Sequence, residues 1–281
     1  MVTYHLQEKV GDGGFADVYR AIHSETKAIV AVKILRDYMN PEARKRFERE
    51  VRLLEGLRHE RIMPLLAYNL TAQQPFYVMP LMTGGVLTRW AGGLSTDSLR
   101  AILCELASVL AFVHQQGGLH RDIKPDNLLV DSAGRVAVGD FGLGNNPRYT
   151  VIFTQHAAGT PGYAAPELMT GGFASQASDI YSLGATIFHL LTGIHPMLAG
   201  SLDPWTVRPD FPADLRSLIL MMVHHDPRYR PTADALLVAL GVRKQATSPQ
   251  KPDNSGLWTG VLAVAGIAAF VGVIAAVASE D

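Results

Sequence analysis

His120-Arg121-Asp122-Ile123-Lys124-Pro125-Asp126-Asn127 is the stretch on which the reading of this chain turns; Asp140-Phe141-Gly142 and Ala165-Pro166-Glu167 follow it. Phosphoryl transfer asks a protein for positioning and charge neutralisation more than for covalent chemistry. One carboxylate orients the attacking hydroxyl and accepts its proton. A lysine neutralises the group being transferred. Two oxygen ligands hold Mg²⁺, which takes carboxylate, amide and water oxygens. Asp122, Lys124, Asn127 and Asp140 supply those groups in that order.

Working towards the N-terminus, Gly11-Asp12-Gly13-Gly14-Phe15-Ala16-Asp17-Val18 lies between two strand candidates. Glycines let backbone N–H groups approach phosphate oxygens, although glycines between strands also make plain hairpin turns. Val30-Ala31-Val32-Lys33 follows. A lysine in an apolar strand is costly without a partner; Glu50 is a candidate, and the alternative is a lysine at a sheet edge with its head in water. Tyr4–Val10, Val18–His23 and Ala28–Leu35 read as strands. Pro41–Leu57 reads as a helix, with proline at its start and Phe47, Val51 and Leu54 on one face. Beyond Gly84–Gly85 the pattern turns mainly helical, and Ser98–His114, apolar nearly all round, predicts a central helix.

Taken together these motifs resemble the eukaryotic-like Ser/Thr protein kinases, in particular bacterial membrane-anchored members, over about residues 4–240. The resemblance implies an α+β bilobal fold: a small β-rich lobe with one helix over 1–82 and a larger helical lobe over 83–241, with ATP in the cleft between them. It implies roles by position. Val10, Gly11, Gly13 and the following turn cover the ATP phosphates, and Lys33 holds them while paired with Glu50. Met79 is the gatekeeper, and Leu81 and Met82 form the hinge that meets adenine. Val18, Ala31 and Leu129 sandwich the ring. Asp122 is the base and Lys124 the phosphate-contacting lysine. Asn127 and Asp140 are the ligands of Mg²⁺, or of Mn²⁺ in its place. Leu54, Leu65, His120 and Phe141 match the apolar stack of active kinases. Glu167 pairs with Arg230, and Asp179 braces the catalytic loop; both are structural, and Cys104 and His114 read as core.

The resemblance also implies protein substrates. Lys124 and Pro125 are the Ser/Thr version of the catalytic loop, and Gly159-Thr160-Pro161-Gly162-Tyr163 is similar to the segment that receives a peptide. Arg121 beside Asp122 can pair with a phosphorylated activation loop; Thr154, with Thr150 second, is the expected autophosphorylation site. Two departures from the family pattern bear on nucleotide affinity: Ala16 stands for a third glycine, and Pro80 removes a hinge N–H. Gly139 and Gly144-Asn145-Asn146 suggest a mobile loop around the Asp140 motif. Neither a catalytically silent membrane scaffold, which would lack one of Lys33, Asp122, Asn127 or Asp140, nor a small-molecule kinase, which would lack the 159–167 segment, fits these residues as well.

The rest of the sequence bounds the setting. The chain has 281 residues, 48% apolar and 18% charged, with net charge −1. That composition excludes pervasive disorder, and the charge balance excludes a dedicated nucleic-acid binder. Cys104 is the sole cysteine, so no internal disulfide or CxxC site exists. Residues 242–256 read as a polar juxtamembrane linker. Leu257–Ala278 is free of charge and at helical rise about 33 Å long, enough for a hydrocarbon core of roughly 30 Å. It predicts a single-pass tail anchor with a short tail at 279–281. Arg243, Lys244 and Lys251 before the span place the kinase region on the cytoplasmic side. Ala268, Gly272 and Ala276 recur every four residues, a spacing that permits helix pairing and hence a homodimer.

Overall fold

The computed structural model describes residues 3–12, 15–140, 162–199 and 204–243. Residues Met1–Lys244 form one compact unit to which all of these belong. Among the described residues no helix is long and apolar enough to cross a membrane; the candidate span at 257–278 lies outside them.

The N-terminal part is a five-stranded antiparallel sheet with strand order β1-β2-β3-β5-β4. Its strands are β1 (Tyr4–Asp12), β2 (Ala16–His23), β3 (Ile29–Leu35), β4 (Ala67–Asn69) and β5 (Phe76–Pro80). Helix α1 (Pro41–Gly56) crosses between β3 and β4. Pro41 sits in its first turn, as the sequence predicts, and the structure adds a cap: the Asn40 side chain accepts from the Glu42 and Ala43 N–H groups. Ala43, Phe47, Val51 and Leu54 form its buried stripe. Arg44 reaches the carbonyls of Tyr38 at 3.2 Å and of Leu70, Ala72 and Gln73 at 3.4 Å, which ties the helix to the β4–β5 connection.

Period-two alternation on β3 sorts its residues by face. Val30 and Val32 pack with Ala21 and Val78 in a small cluster on one side of the sheet. Ala31 and Leu35 join the main core, with Lys33 between them on the same face. In the ladder to β5, Ala31 is opposite Met79 and Lys33 opposite Tyr77. Tyr77 and Met79 therefore share the lysine's face.

The C-terminal part is built on α2 (Thr96–Gln115) and α4 (Gln176–Thr192), joined by α7 (Ala213–Met222) and α8 (Ala233–Ala239); α3 (Pro166–Met169), α5 (Pro196–Ala199) and α6 (Pro204–Val207) are short. Helix α2 buries ten residues, from Leu99 to His114, as the nearly all-round apolar pattern predicts. Helix α4 opens on a reciprocal Ser175–Ser178 capping box and stops at Gly193, whose φ of 72° is left-handed. The pattern of the sequence missed a three-stranded sheet here: β6 (Gly85–Val86), β7 (Leu128–Val130) and β8 (Val136–Val138). Two and three residues are too few to show a period. The two parts are stitched together where Val138 N–H donates to the Arg61 carbonyl at 2.8 Å and Met63 N–H to the Val138 carbonyl at 2.9 Å. One apolar core runs through both, from Ala31, Leu54 and Met79 to Leu128 and α2.

Candidate active site

The site forms where β3, α1, the α2–β7 loop and the end of β8 meet. Lys33 Nζ lies 2.8 Å from Glu50 Oε1 on α1 and also bonds Asp140 Oδ1 just after β8. The lysine side chain is only 9% exposed. Burial pulls its pKa down, but the Asp140 and Glu50 carboxylates outweigh that and hold it well above the ordinary lysine value. Lys33 is therefore a fixed cation. Burial raises the Glu50 pKa, and Lys33 offsets part of the rise. Asp140, half exposed, stays below the usual carboxylate range because Lys33 outweighs its desolvation. The sequence pairing of Lys33 with Glu50 is thus formed, and the lysine is no snorkelling edge residue.

The loop 120–127 presents the second group. Asp179, 1% exposed near the start of α4, accepts the backbone N–H of His120 at 2.9 Å and of Arg121 at 2.7 Å. It also bonds His114 Nε2 at 2.9 Å. His114 is in the core, as expected, but as a bonded partner of the loop's brace. Held this way, Asp122 receives Asn127 Nδ2 on its carboxylate at 2.8 Å and on its carbonyl at 2.7 Å. Lys124 Nζ is 3.1 Å from Asp122 Oδ2. With both amide hydrogens spent on Asp122, Asn127 keeps its oxygen as an acceptor. Arg121 and Asp140 have φ of 71° and 47°, left-handed values that cost non-glycine residues about 1–3 kcal/mol and cluster at functional sites. Arg121 Nε is buried with no hydrogen-bond partner among the described residues.

Other sequence candidates fall around this centre. Ala31 is buried and Met79 is 9% exposed, side by side in the ladder. Val18 and Leu129 are half-buried against the main core, as are Leu81 and Met82 just past β5. Val10 is exposed at the end of β1, and Gly11 pairs with Val18; a Cβ on Gly11 would come within 3.3 Å of the Val18 Cβ. Leu54, Leu65 and His120 are in or against the core. Glu167 and Arg230 form a two-pronged pair at 2.7 and 2.8 Å. Asp126 accepts from the Thr88 hydroxyl at 2.8 Å. Gly13, Phe141, Thr150, Thr154 and Thr160 lie outside the described residues.

Two features escaped the sequence reading. Asp12 and Asp17 flank the glycine-rich turn and share Lys9 and Arg36; the Arg36 guanidinium, then Lys9, holds the Asp17 pKa at about 2. Tyr77 donates to Glu50 Oε1 at 2.8 Å from deep inside the lobe. The signal for Tyr77 was a lone hydroxyl in the apolar run of β5, in register with Lys33, but register is not visible in a single strand.

The arrangement defines a protein that pairs a buried lysine with two carboxylates and sets a third carboxylate, an amide and a second lysine together on the neighbouring loop. Residues 4–239 match the protein kinase domain model, and the chain belongs to that family. It is similar to the DNA damage-responsive serine/threonine-protein kinase RqkA of Deinococcus radiodurans, 34% identical over 84% of this chain and 39% of that protein. It is also similar to the serine/threonine-protein kinase PrkC of Bacillus subtilis, 34% identical over 81% of this chain and 38% of that protein. CBL-interacting serine/threonine-protein kinase 24 of Arabidopsis thaliana is 31% identical over 81% of this chain and 54% of its own length. The chain thus spans about two fifths to one half of these curated relatives.

Proposed function

We propose that this chain is an ATP-dependent Ser/Thr protein kinase. The observation that carries the reading is the pair of clusters, Lys33–Glu50–Asp140 and Asp122–Lys124–Asn127, brought together from both parts of the fold. Asp122 orients the substrate hydroxyl and takes its proton as the oxygen bonds the γ-phosphorus and the bond to the bridging oxygen of ADP breaks. Lys124 offsets charge on the transferring group. Lys33, held by Glu50, positions the α- and β-phosphates. The amide oxygen of Asn127 and the carboxylate of Asp140 fit a hard divalent cation, Mg²⁺ or Mn²⁺, which takes few protein ligands and several from phosphate and water. Once bound, that cation neutralises charge on the phosphates.

Protein substrates follow from the Ser/Thr-type loop with Lys124 and from the serine/threonine names of the similar kinases. Arg121 Nε, buried without a hydrogen-bond partner among the described residues, supports control by a phosphate on the activation loop, with Thr154 the first site and Thr150 the second. The uncharged run at 257–278, with Arg243, Lys244 and Lys251 before it, supports a membrane anchor with the kinase region cytoplasmic, where tethering raises the rate at which one copy meets another.

The test incubates full-length wild type and Asp122→Asn with γ-labelled ATP and Mg²⁺ and maps the phosphosites. Wild type labels itself at Thr154 or Thr150 and labels protein Ser/Thr; Asp122→Asn falls by about 10²–10⁴-fold, the usual worth of a positioned base. Equal labelling in both proteins, or transfer to small amino alcohols alone, overturns the reading.

A further inference from the structure

Tyr77 is 2% exposed, on the strand of the N-terminal sheet next to β3. A buried phenol keeps its place only if the hydroxyl is partnered, because an unmet buried donor costs about 1–3 kcal/mol. Among the described residues its partner is Glu50 Oε1, at 2.8 Å. The same oxygen meets Lys33 Nζ at 2.8 Å. The ring contacts both sides of that pair: its centroid is 5.5 Å from Lys33 Nζ and 5.4 Å from the centroid of Phe47 on α1. Lys33 and Tyr77 are cross-strand partners, so their spacing is set by the sheet.

Glu50 rides on a different kind of support. Helix α1 meets the sheet through its apolar stripe; its polar ties are Arg44 near one end, Glu50 further along, and, at the surface near its other end, Arg52 and Glu55, which bond the Tyr68 hydroxyl on β4 at 3.1 and 2.9 Å. A shift of the helix along its stripe would separate Glu50 from Lys33 while leaving apolar contact largely intact. A hydroxyl fixed on the sheet resists that shift, because it must break too.

From this geometry we infer that Tyr77 is a positioning residue, pinning Glu50 and with it α1 to the sheet so that the Lys33–Glu50 pair is made before nucleotide arrives. The inference rests on the kinase reading above. Burial, with Glu50 beside it, keeps the Tyr77 pKa well above 10, so the phenol remains a donor to that carboxylate. The other charges facing Glu50 are Lys33 and Asp140.

The test uses the full chain as wild type, Tyr77→Phe, Glu50→Gln and the double variant, and measures kcat and KM for ATP separately at neutral pH. Phe keeps the ring and deletes one oxygen. Expected is a loss of about tenfold in kcat/KM, the scale of one hydrogen bond to a charged acceptor, carried mainly by KM for ATP because Lys33 holds the phosphates. In the Glu50→Gln background the Tyr77→Phe loss shrinks, because the two act through one contact. A Phe variant with wild-type kcat/KM, a loss confined to kcat, or losses that simply multiply in the double variant would overturn the inference while leaving the kinase reading intact. A wild type that transfers no phosphate to protein would sink both.

Discussion

Arg230 carries a charge into the helical lobe with no exposed side-chain surface. Its guanidinium is saturated: Glu167 takes two N–H groups, the carbonyls of His224, Ala177 and His225 take others at 2.8 to 3.0 Å, and the Tyr181 ring lies 4.9 Å away. Such a pair adds little net stability over an apolar substitute, but removing one member leaves a buried partner uncompensated. Arg230→Ala should cost about 3–5 kcal/mol, read as a lower denaturant midpoint at unchanged slope. Arg230→Lys should recover little of it, since an ammonium cannot reproduce the fork. The same contrast explains which single residues were readable beforehand. Asp122, Lys124 and Asn127 sit within one short loop, so their chemistry shows in the order of letters. Tyr77 and Arg36 act through partners that sequence order does not bring near.

At the scale of elements, Gly184 in the middle of α4 sets how closely α7 approaches. A Cβ there would lie 2.8 Å from both Met222 Cβ and Val223 Cγ1. Replacing an interior helical glycine by alanine ordinarily gains about 1 kcal/mol. Here the overlap is with a side-chain root and a β-branched methyl that have little freedom to turn away. Overpacking of this kind costs about 1–3 kcal/mol, so Gly184→Ala should lower the melting temperature rather than raise it. A raised melting temperature would show that α7 can slide outward at no cost. Helix α1 was readable to within a residue or two because its proline and its stripe are local. The β6–β7–β8 sheet was not, since its strands owe their pairing to a loop and a helix that fold between them.

On the scale of the molecule, the compact unit ends at Lys244, short of the uncharged run at 257–278. The full chain should sediment with membranes and resist extraction by high salt, and a chain ending at Lys244 should not, because about 20 apolar residues suffice to span the hydrocarbon core. Full-length protein recovered in the salt wash would refute the anchor. The catalytic letters and the amphipathic helix at 41–57 could be read from order alone, because each is a local pattern that carries its own chemistry. The working centre could not. Lys33 and Glu50 are 17 residues apart, Glu50 and Tyr77 27, and Lys33 and Asp140 107. Strand register put the tyrosine opposite the lysine, and the Val138 stitch carried Asp140 to the same point. Register and docking come from packing between distant segments, and no run of neighbouring residues encodes them.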